Sequence, residues 1–319
     1  MRKYDVITLG SGLVDAFVRT KFNEEKGNMY FPVGTKILVD SIDFSIGGGG
    51  INSAMCFSHL GLKTGFVGKI GSKANASIIL RGLEANKIDF LGVQSKIERT
   101  GYSIILESEK KNRTIITSKA SSDNLKFSEI NFREFHTKWF YFTSLGKESF
   151  ETQKKIAKYA RDNGIKLAYN PSSYHTKYGA DYLKPILTNC NTLTLNKEEA
   201  GMLVKKGNLY EGLKKLGPEI VCITDGENEG GVYDGTFLYR FRPPKVKVRE
   251  ATGAGDVFGS SFITGLIKFD DIEMALKAAI AHASLAISRT DGINNRMARW
   301  NEILKIIKNE RFKIRKERL

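Results

Sequence analysis

Thr252-Gly253-Ala254-Gly255-Asp256-Val257-Phe258 is the stretch on which the fold turns. A basic, extended run from Pro243 to Arg249 leads in, and Phe258, Phe262 and Leu266 recur at helical spacing on the way out. Two glycines ahead of a helix leave backbone N–H groups free to face a ligand, and the first turn adds roughly half a positive charge. An oxyanion is stabilised at such a place. Asp256 follows at once, where a carboxylate can take the proton of a hydroxyl attacking that anion. A plain strand-to-helix turn capped by Asp256 fits the same letters.

The 319 residues allow one large domain or two. Fifty Lys+Arg against 35 Asp+Glu give a net charge of +15. The basic residues are scattered, with one dense cluster from Lys305 to Arg318, and aromatics do not interleave with them as a single-strand binding platform requires. Nucleic acid is therefore not the expected partner. Cys56, Cys190 and Cys222 lie far apart, which argues against a zinc site or disulfide framework. The longest apolar run, Ala275 to Ile287, is broken by Lys277 and His282, so no membrane span is expected and a cytoplasmic location is.

Working back from the opening stretch, strands and helices alternate from residue 125 onward. Strands are expected at Trp139 to Thr143, Lys166 to Tyr169, Thr192 to Leu195 and Ile220 to Thr224, with a hairpin around Asp234-Gly235. Helices are expected over 150–163, 180–187, from Lys197, over 209–216, 272–288 and 299–308. That order predicts an α/β fold, a doubly wound, mostly parallel sheet covered on both faces. Near the N-terminus, Tyr4 to Leu9 is a buried strand, Thr64 to Val67 and Phe90 to Gln94 are further strands, and Ala74 to Glu84 is a helix. Two β-rich inserts interrupt the alternation: Ile37 to Ile46, and a hairpin from Tyr102 to Ser118 around Glu109 to Asn112. Paired, they make a small sheet separate from the core. The expected division is a core of residues 1–12, 47–99 and 121–319 with that small sheet in 13–46 and 100–120.

Gly47-Gly48-Gly49-Gly50 runs straight into a helix. Such a run costs backbone entropy and suits a close approach to a ligand, a flexible linker being the alternative. Gly10-Ser11-Gly12-Leu13-Val14-Asp15 misses the dinucleotide fingerprint, because Asp15 replaces its third small residue. Asp15 suits a polar ligand or a turn equally. Gly68-Lys69 is no phosphate loop, since Ile70 stands where Ser or Thr is required. Asp15, the glycine run, Asn170, Asn196, Thr224 to Gly226 and the stretch at 252–256 all fall at strand carboxyl ends, where open α/β sheets bind ligands.

The glycine run with Asn52 and Leu60-Gly61, together with Thr252 to Asp256, resembles the two motifs of the PfkB/ribokinase family of sugar and nucleoside kinases. Asn196-Lys197-Glu198-Glu199 and Thr224-Asp225-Gly226 stand where that family has N-x-x-E and T-x-G. The resemblance covers nearly the whole chain. It implies a ribokinase-like core with a β-sheet lid, and transfer of the γ-phosphoryl group of ATP to a sugar-type hydroxyl. It implies Asp256 as base, with the amides of Gly253, Ala254 and Gly255 as anion hole. Asn196 and Glu199 would organise Mg²⁺ through water, Thr224 and Gly226 would line the nucleotide phosphates, and His282 would border the adenine, a packed core histidine being the equal alternative. Asp15, Gly48 and Asn52 would hold the acceptor.

Several departures bear on substrate. Gly49 and Leu13 stand where ribokinases proper have lysine and asparagine, and no lysine sits in the glycine run as in the sugar-phosphate kinases of the family. The expected acceptor is an unphosphorylated sugar or sugar acid. Arg19, Lys21 or Arg113 in the lid could still meet a phosphate. A nucleoside, held by Phe17, Phe31 and Tyr102, is the alternative, followed by a sugar phosphate and by a non-catalytic nucleic-acid-binding relative. Glu250 replaces the aspartate that helps bind a monovalent cation in several members, which leaves K⁺ dependence open. A homodimer formed through the lid is a further expectation.

Overall fold

Residues that bury both faces of a strand cannot alternate polar with apolar, and Phe135–Thr143 shows why. Along it Phe140 and Phe142 enter one buried cluster while Trp139 and Tyr141 enter another on the opposite face. The strand therefore lies in the middle of a sheet with helices on both sides. The computed structural model describes residues 1–108, 112–249, 253–289 and 296–319.

Among the described residues the main sheet has ten strands. Its central part runs parallel, in the order Ile220–Thr224, Thr192–Asn196, Lys166–Asn170, Phe135–Thr143, Arg2–Leu9, Thr64–Val67 and Asp89–Phe90. Gly230–Tyr233, Phe237–Phe241 and Ile314–Arg318 extend it antiparallel at one edge. The helices Lys147–Asp162, Ala180–Leu187 and Lys197–Leu203 contribute to the cluster on one face, and Ala254–Phe269 and Ile272–Ser288 to the cluster on the other. At Asp234-Gly235 the turn closes as expected: Gly235 has φ 100° and Asp234 Oδ1 accepts the amides of Thr236 and Phe237.

A separate four-stranded sheet carries Arg113–Ser118, Gly101–Ser108, Leu13–Phe22 and Ser41–Gly47 in that spatial order. Its outer pairs are antiparallel and its central pair is parallel. The turn expected at 109–112 falls, but for Asn112, outside the described residues. Two segments differ from the sequence reading. The strand expected at 90–94 divides in two: Asp89–Phe90 ends the main sheet, and Val93–Arg99 pairs with Lys69–Ser72. The chain changes partners at Gly92, whose α-carbon lies so close to Gly68 that a Cβ would meet its carbonyl oxygen at 1.9 Å. The basic tail is the second. It folds into the helix Trp300–Asn309 and the edge strand Ile314–Arg318, where Glu317 pairs with Arg240. No helix among the described residues is long and apolar enough to cross a membrane.

Candidate active site

Two helices begin at one point. Gly49–His59 starts after Gly48, whose φ of 88° suits only glycine without strain and whose Cβ would meet the Ser11 carbonyl oxygen at 2.6 Å. Gly50 lies against Gly10 with 2.7 Å available for a Cβ, so the glycine run lets the strand end and the helix start touch backbone to backbone. Ala254–Phe269 starts after Gly253, left-handed at φ 79°. Val257 N donates to Gly253 O at 3.0 Å, so the amides of residues 254–256 head that helix. Nothing lies within 4 Å of a Cβ placed on Gly255, which leaves open space over those amides. Thr252, ahead of the turn, and Glu250 lie outside the described residues.

The two first turns join through one hydrogen bond, Asn52 Nδ2 donating to Asp256 Oδ2 at 3.4 Å. Asn52 Oδ1 is buried and has no protein partner among the described residues. The Asp256 side chain is half-buried and faces a cleft lined also by Asn170, Asn196, Glu199, Thr224 and Gly253. Burial pushes its carboxyl up to about 6, the Asn52 hydrogen bond opposes that, and the charge of Glu199 adds to it. A carboxylate so tuned is ionised at neutral pH yet basic enough to accept a proton.

Glu199 and Asn196 hold each other in a capping box. Asn196 Oδ1 accepts the Glu199 amide at 2.8 Å and Glu199 Oε2 accepts the Asn196 amide at 3.0 Å. Glu199 also receives the Ser173 amide, and burial nonetheless raises its carboxyl above the usual range. Among the described residues no three His, Cys, Asp or Glu side chains cluster as a metal cage. Such a donor set fits Mg²⁺, which keeps several of its waters and leans on substrate phosphates rather than on an all-protein cage.

On one side of Asp256 lies a cavity of about 520 Å³ bounded by the lid, with Asp15, Gly48 and Asn52 in its wall. Asp15 is half-buried on the lid strand Leu13–Phe22. Burial raises its carboxyl and a hydrogen bond from Ser103 opposes that. Phe17 lines this cavity, whereas Phe31 packs edge-on against Phe22 and Tyr102 packs on an apolar cluster of the core. Sequence reasoning missed Ser144, Ser172, Ser173, Lys119 and Arg296, which also line it. Ser172 and Ser173 directly follow the Asn170-Pro171 strand end, a signal that was available.

On the other side lies a cavity of about 480 Å³ with Thr224 and Gly226 at its mouth and Phe241, Val246, Val248, Phe258, Ile280 and Ala283 in its walls. His282 does not line it. That ring is fully buried, its Nε2 accepting the Ala298 amide at 2.9 Å and its Nδ1 lying 2.7 Å from Ser261 Oγ. Burial drives it down to about 3, so it is a neutral packing residue one position before the cavity wall. Cys56, Cys190 and Cys222 are free and buried.

Comparison with known proteins gives this geometry a lineage. The chain is 27% identical to the ribokinase of Lactococcus lactis over 301 residues, 93% of this chain and 95% of that one. It is 26% identical to the 5-dehydro-2-deoxygluconokinase of Halalkalibacterium halodurans over 311 residues, 90% of each. Among solved structures it superposes on Arabidopsis thaliana ribokinase complexed with ribose and ATP with a TM-score of 0.82, covering 97% of this chain and 100% of that one at 19% identity. An E. coli protein solved with ATP and Mg²⁺ superposes with a TM-score of 0.81 over 97% and 100% of the two chains, also at 19% identity. The model of the pfkB family of carbohydrate kinases matches residues 14–299. The chain therefore belongs to the pfkB family of carbohydrate kinases, and it is a phosphotransferase.

Proposed function

We propose that the protein transfers the γ-phosphoryl group of ATP to a hydroxyl of an unphosphorylated sugar or sugar acid. One observation carries the reading: Asp256 stands at a helix tip in a cleft that shares Ser172 with the lid-side cavity and Thr224 and Gly255 with the more apolar one. The acceptor lies in the lid-side cavity, with hydroxyls bound by Asp15, by Asn52 Oδ1 and over Gly48. Asp256 accepts the proton of the attacking hydroxyl. The amides of Gly253, Ala254 and Gly255 stabilise charge on the phosphoryl oxygens, where positioning and electrostatics supply nearly all of the catalysis. Thr224 and Gly226 flank the nucleotide phosphates, and Phe258, Ile280 and Val248 enclose the base. Asn196 and Glu199 would orient the waters around Mg²⁺, which when bound neutralises charge on the β- and γ-phosphates.

A nucleoside acceptor is the second reading, favoured by the apolar patch of Leu13, Phe17, Ile105 and Ile115 in the same cavity. Incubation with ATP, Mg²⁺ and a panel of sugars, sugar acids and nucleosides, with ADP release as readout, separates the two. If no acceptor raises turnover above the ATPase background, the kinase reading is wrong as stated. Running that assay in KCl and in a bulky organic chloride tests K⁺ dependence. The exposed Ile42, Phe44 and Ile116 of the lid support pairing of two copies through that sheet, which sedimentation would detect as a dimer.

A further inference from the structure

The acceptor cavity contains a cation that nothing in the proposed transfer uses. Lys119 joins the lid strand Arg113–Ser118 to the short 3₁₀ turn Ala120–Asp123 and lines the cavity. Its ammonium donates to the Ser144 carbonyl at 3.3 Å and sits 3.7 Å from the centre of the Tyr174 ring. Among the described residues no carboxylate comes within ion-pairing distance of it. Asp123, the acidic group that acts on it most, is turned away: its Oδ1 accepts the Gly146 amide at 2.8 Å. Lys177 shares the Tyr174 ring at 5.1 Å and adds positive charge. Burial and Lys177 both push the Lys119 ammonium below its ordinary value, Asp123 opposing. A half-buried ammonium with one carbonyl and one aromatic face has donor capacity left over, and a desolvated charge of this kind calls for a counter-ion.

We infer that Lys119 is the seat of a carboxylate on the acceptor, and that the substrate is a sugar acid. This rests on the kinase reading above and narrows its substrate. Asp15 and Lys119 line the same cavity as opposite charges, and the Ser103 and Thr117 hydroxyls link the Asp15 carboxylate to the strand that ends just before Lys119. A chain of hydroxyls with an acid group at one end meets both. A carboxylate suits the site better than a phosphate dianion. Of the other cations in this wall, Arg113 already pairs with Glu107 at 3.3 Å and Arg296 donates to the Ala286 carbonyl at 3.5 Å, and the glycine run brings no lysine. Lys119 touches neither Asp256 nor the nucleotide cavity, so it acts on acceptor choice and not on the transfer step.

The test uses the full chain with ATP, Mg²⁺ and matched acceptors: ribose and ribonate, glucose and gluconate, galactose and galactonate, with ribose 5-phosphate and glucose 6-phosphate as a third arm. The expected result is a preference for one of the acids over its neutral partner of at least about tenfold in kcat/KM, since hydrogen-bonding sites reject analogues lacking the group they bind. Lys119→Met should raise KM for that acid by about 10–100-fold, the worth of a charge-assisted hydrogen bond, and so erase its preference over the neutral partner. Lys119→Arg should restore part of the loss, which guards against a folding defect. The inference is overturned when a neutral sugar or a sugar phosphate is the best acceptor, or when acid preference survives Lys119→Met. Calorimetric binding of the same acids without nucleotide keeps the two readings apart. Binding that weakens in Lys119→Met upholds the subsite even where no transfer occurs, and absence of binding by every acid, or equal binding by parent and variant, removes it.

Discussion

On the proposed acceptor side of Asp256 the wall sets hydroxyls, one carboxylate and cations beside a patch of Leu13, Phe17, Ile105 and Ile115; on the proposed nucleotide side Phe241, Pro243, Val248, Phe258, Ile280 and Ala283 dominate, with Glu227 and Lys245 among them. The first wall draws on the lid sheet, the glycine run and the Ser172–Thr176 turn. The second draws on the loop after Phe237–Phe241 and the flank of Ile272–Ser288. A polar wall discriminates, because each unsatisfied donor or acceptor counts against the wrong ligand. An apolar wall holds a flat ring by area and shape and tolerates change. On the proposed function, specificity resides on the lid side and affinity for the donor on the other, with Asp256 in the cleft between them.

The largest effect should come from the residue the two sides share. Asp256→Asn keeps the shape of the tip and should lower kcat by roughly 10²–10⁴-fold, with ATP affinity by calorimetry nearly unchanged. Equal activity in variant and parent would remove Asp256 from its role. Next come the buried histidines beneath each wall. His175 is buried among Phe150, Tyr169 and Tyr182 with its Nε2 at the Leu145 carbonyl, and His282 is buried against Ser261 and the Ala298 amide. Burial lowers them to about 4 and about 3, so both are neutral in the fold while the unfolded chain protonates them near 6.5. Their contribution is complete above pH 6.5 and lost as the pH falls toward 4, by about 2 kcal/mol each at most at pH 5. The raised carboxyls of Asp15, Glu199 and Asp256 shift stability the other way over the same range, so the loss is read as the difference in urea midpoint between pH 7.5 and 5 in the parent against His175→Gln and His282→Gln; an equal pH response in parent and variants would contradict it.

Smaller effects separate the walls. Gly50→Ala forces a methyl against Gly10 and should destabilise the fold by about 1–3 kcal/mol in urea unfolding, with the acceptor side disturbed first. Unchanged stability would mean that the close approach is not needed. Val248→Ala trims the exposed rim of the apolar wall and should raise KM for ATP by about three- to tenfold while leaving KM for the acceptor alone. A shift in both constants would erase the division of labour.

The sequence made the parallel core legible because its strands are short apolar runs closed by glycine, asparagine or aspartate. It made Asp256, Asn52 and the glycines legible because backbone contact demands glycine there. Other parts left weaker traces. Ile314–Arg318 reads Ile-Arg-Lys-Glu-Arg, an edge strand held by backbone pairing and the Arg240–Glu317 pair rather than by an apolar face. Leu13–Phe22 carries Arg19 and Lys21 in its second half, which hides its alternation. Lys119 looked like one surface lysine among many, since only folding sets it against Tyr174 and Ser144. His282 could be placed beside the adenine or in the core, because sequence position cannot distinguish one side of a wholly buried helix from its neighbour one residue on.

The pH dependence of kcat/KM, taken on the parent and on Asp256→Asn, tests the central claim most directly. Because burial holds the Asp256 carboxyl at about 6, the parent should lose activity as the pH falls through that value, the protonated form being unable to accept the hydroxyl proton. The variant should retain a low rate without that inflection. A parent profile flat through pH 6, or an inflection there that persists in Asp256→Asn, would contradict the assignment of this carboxylate as the base.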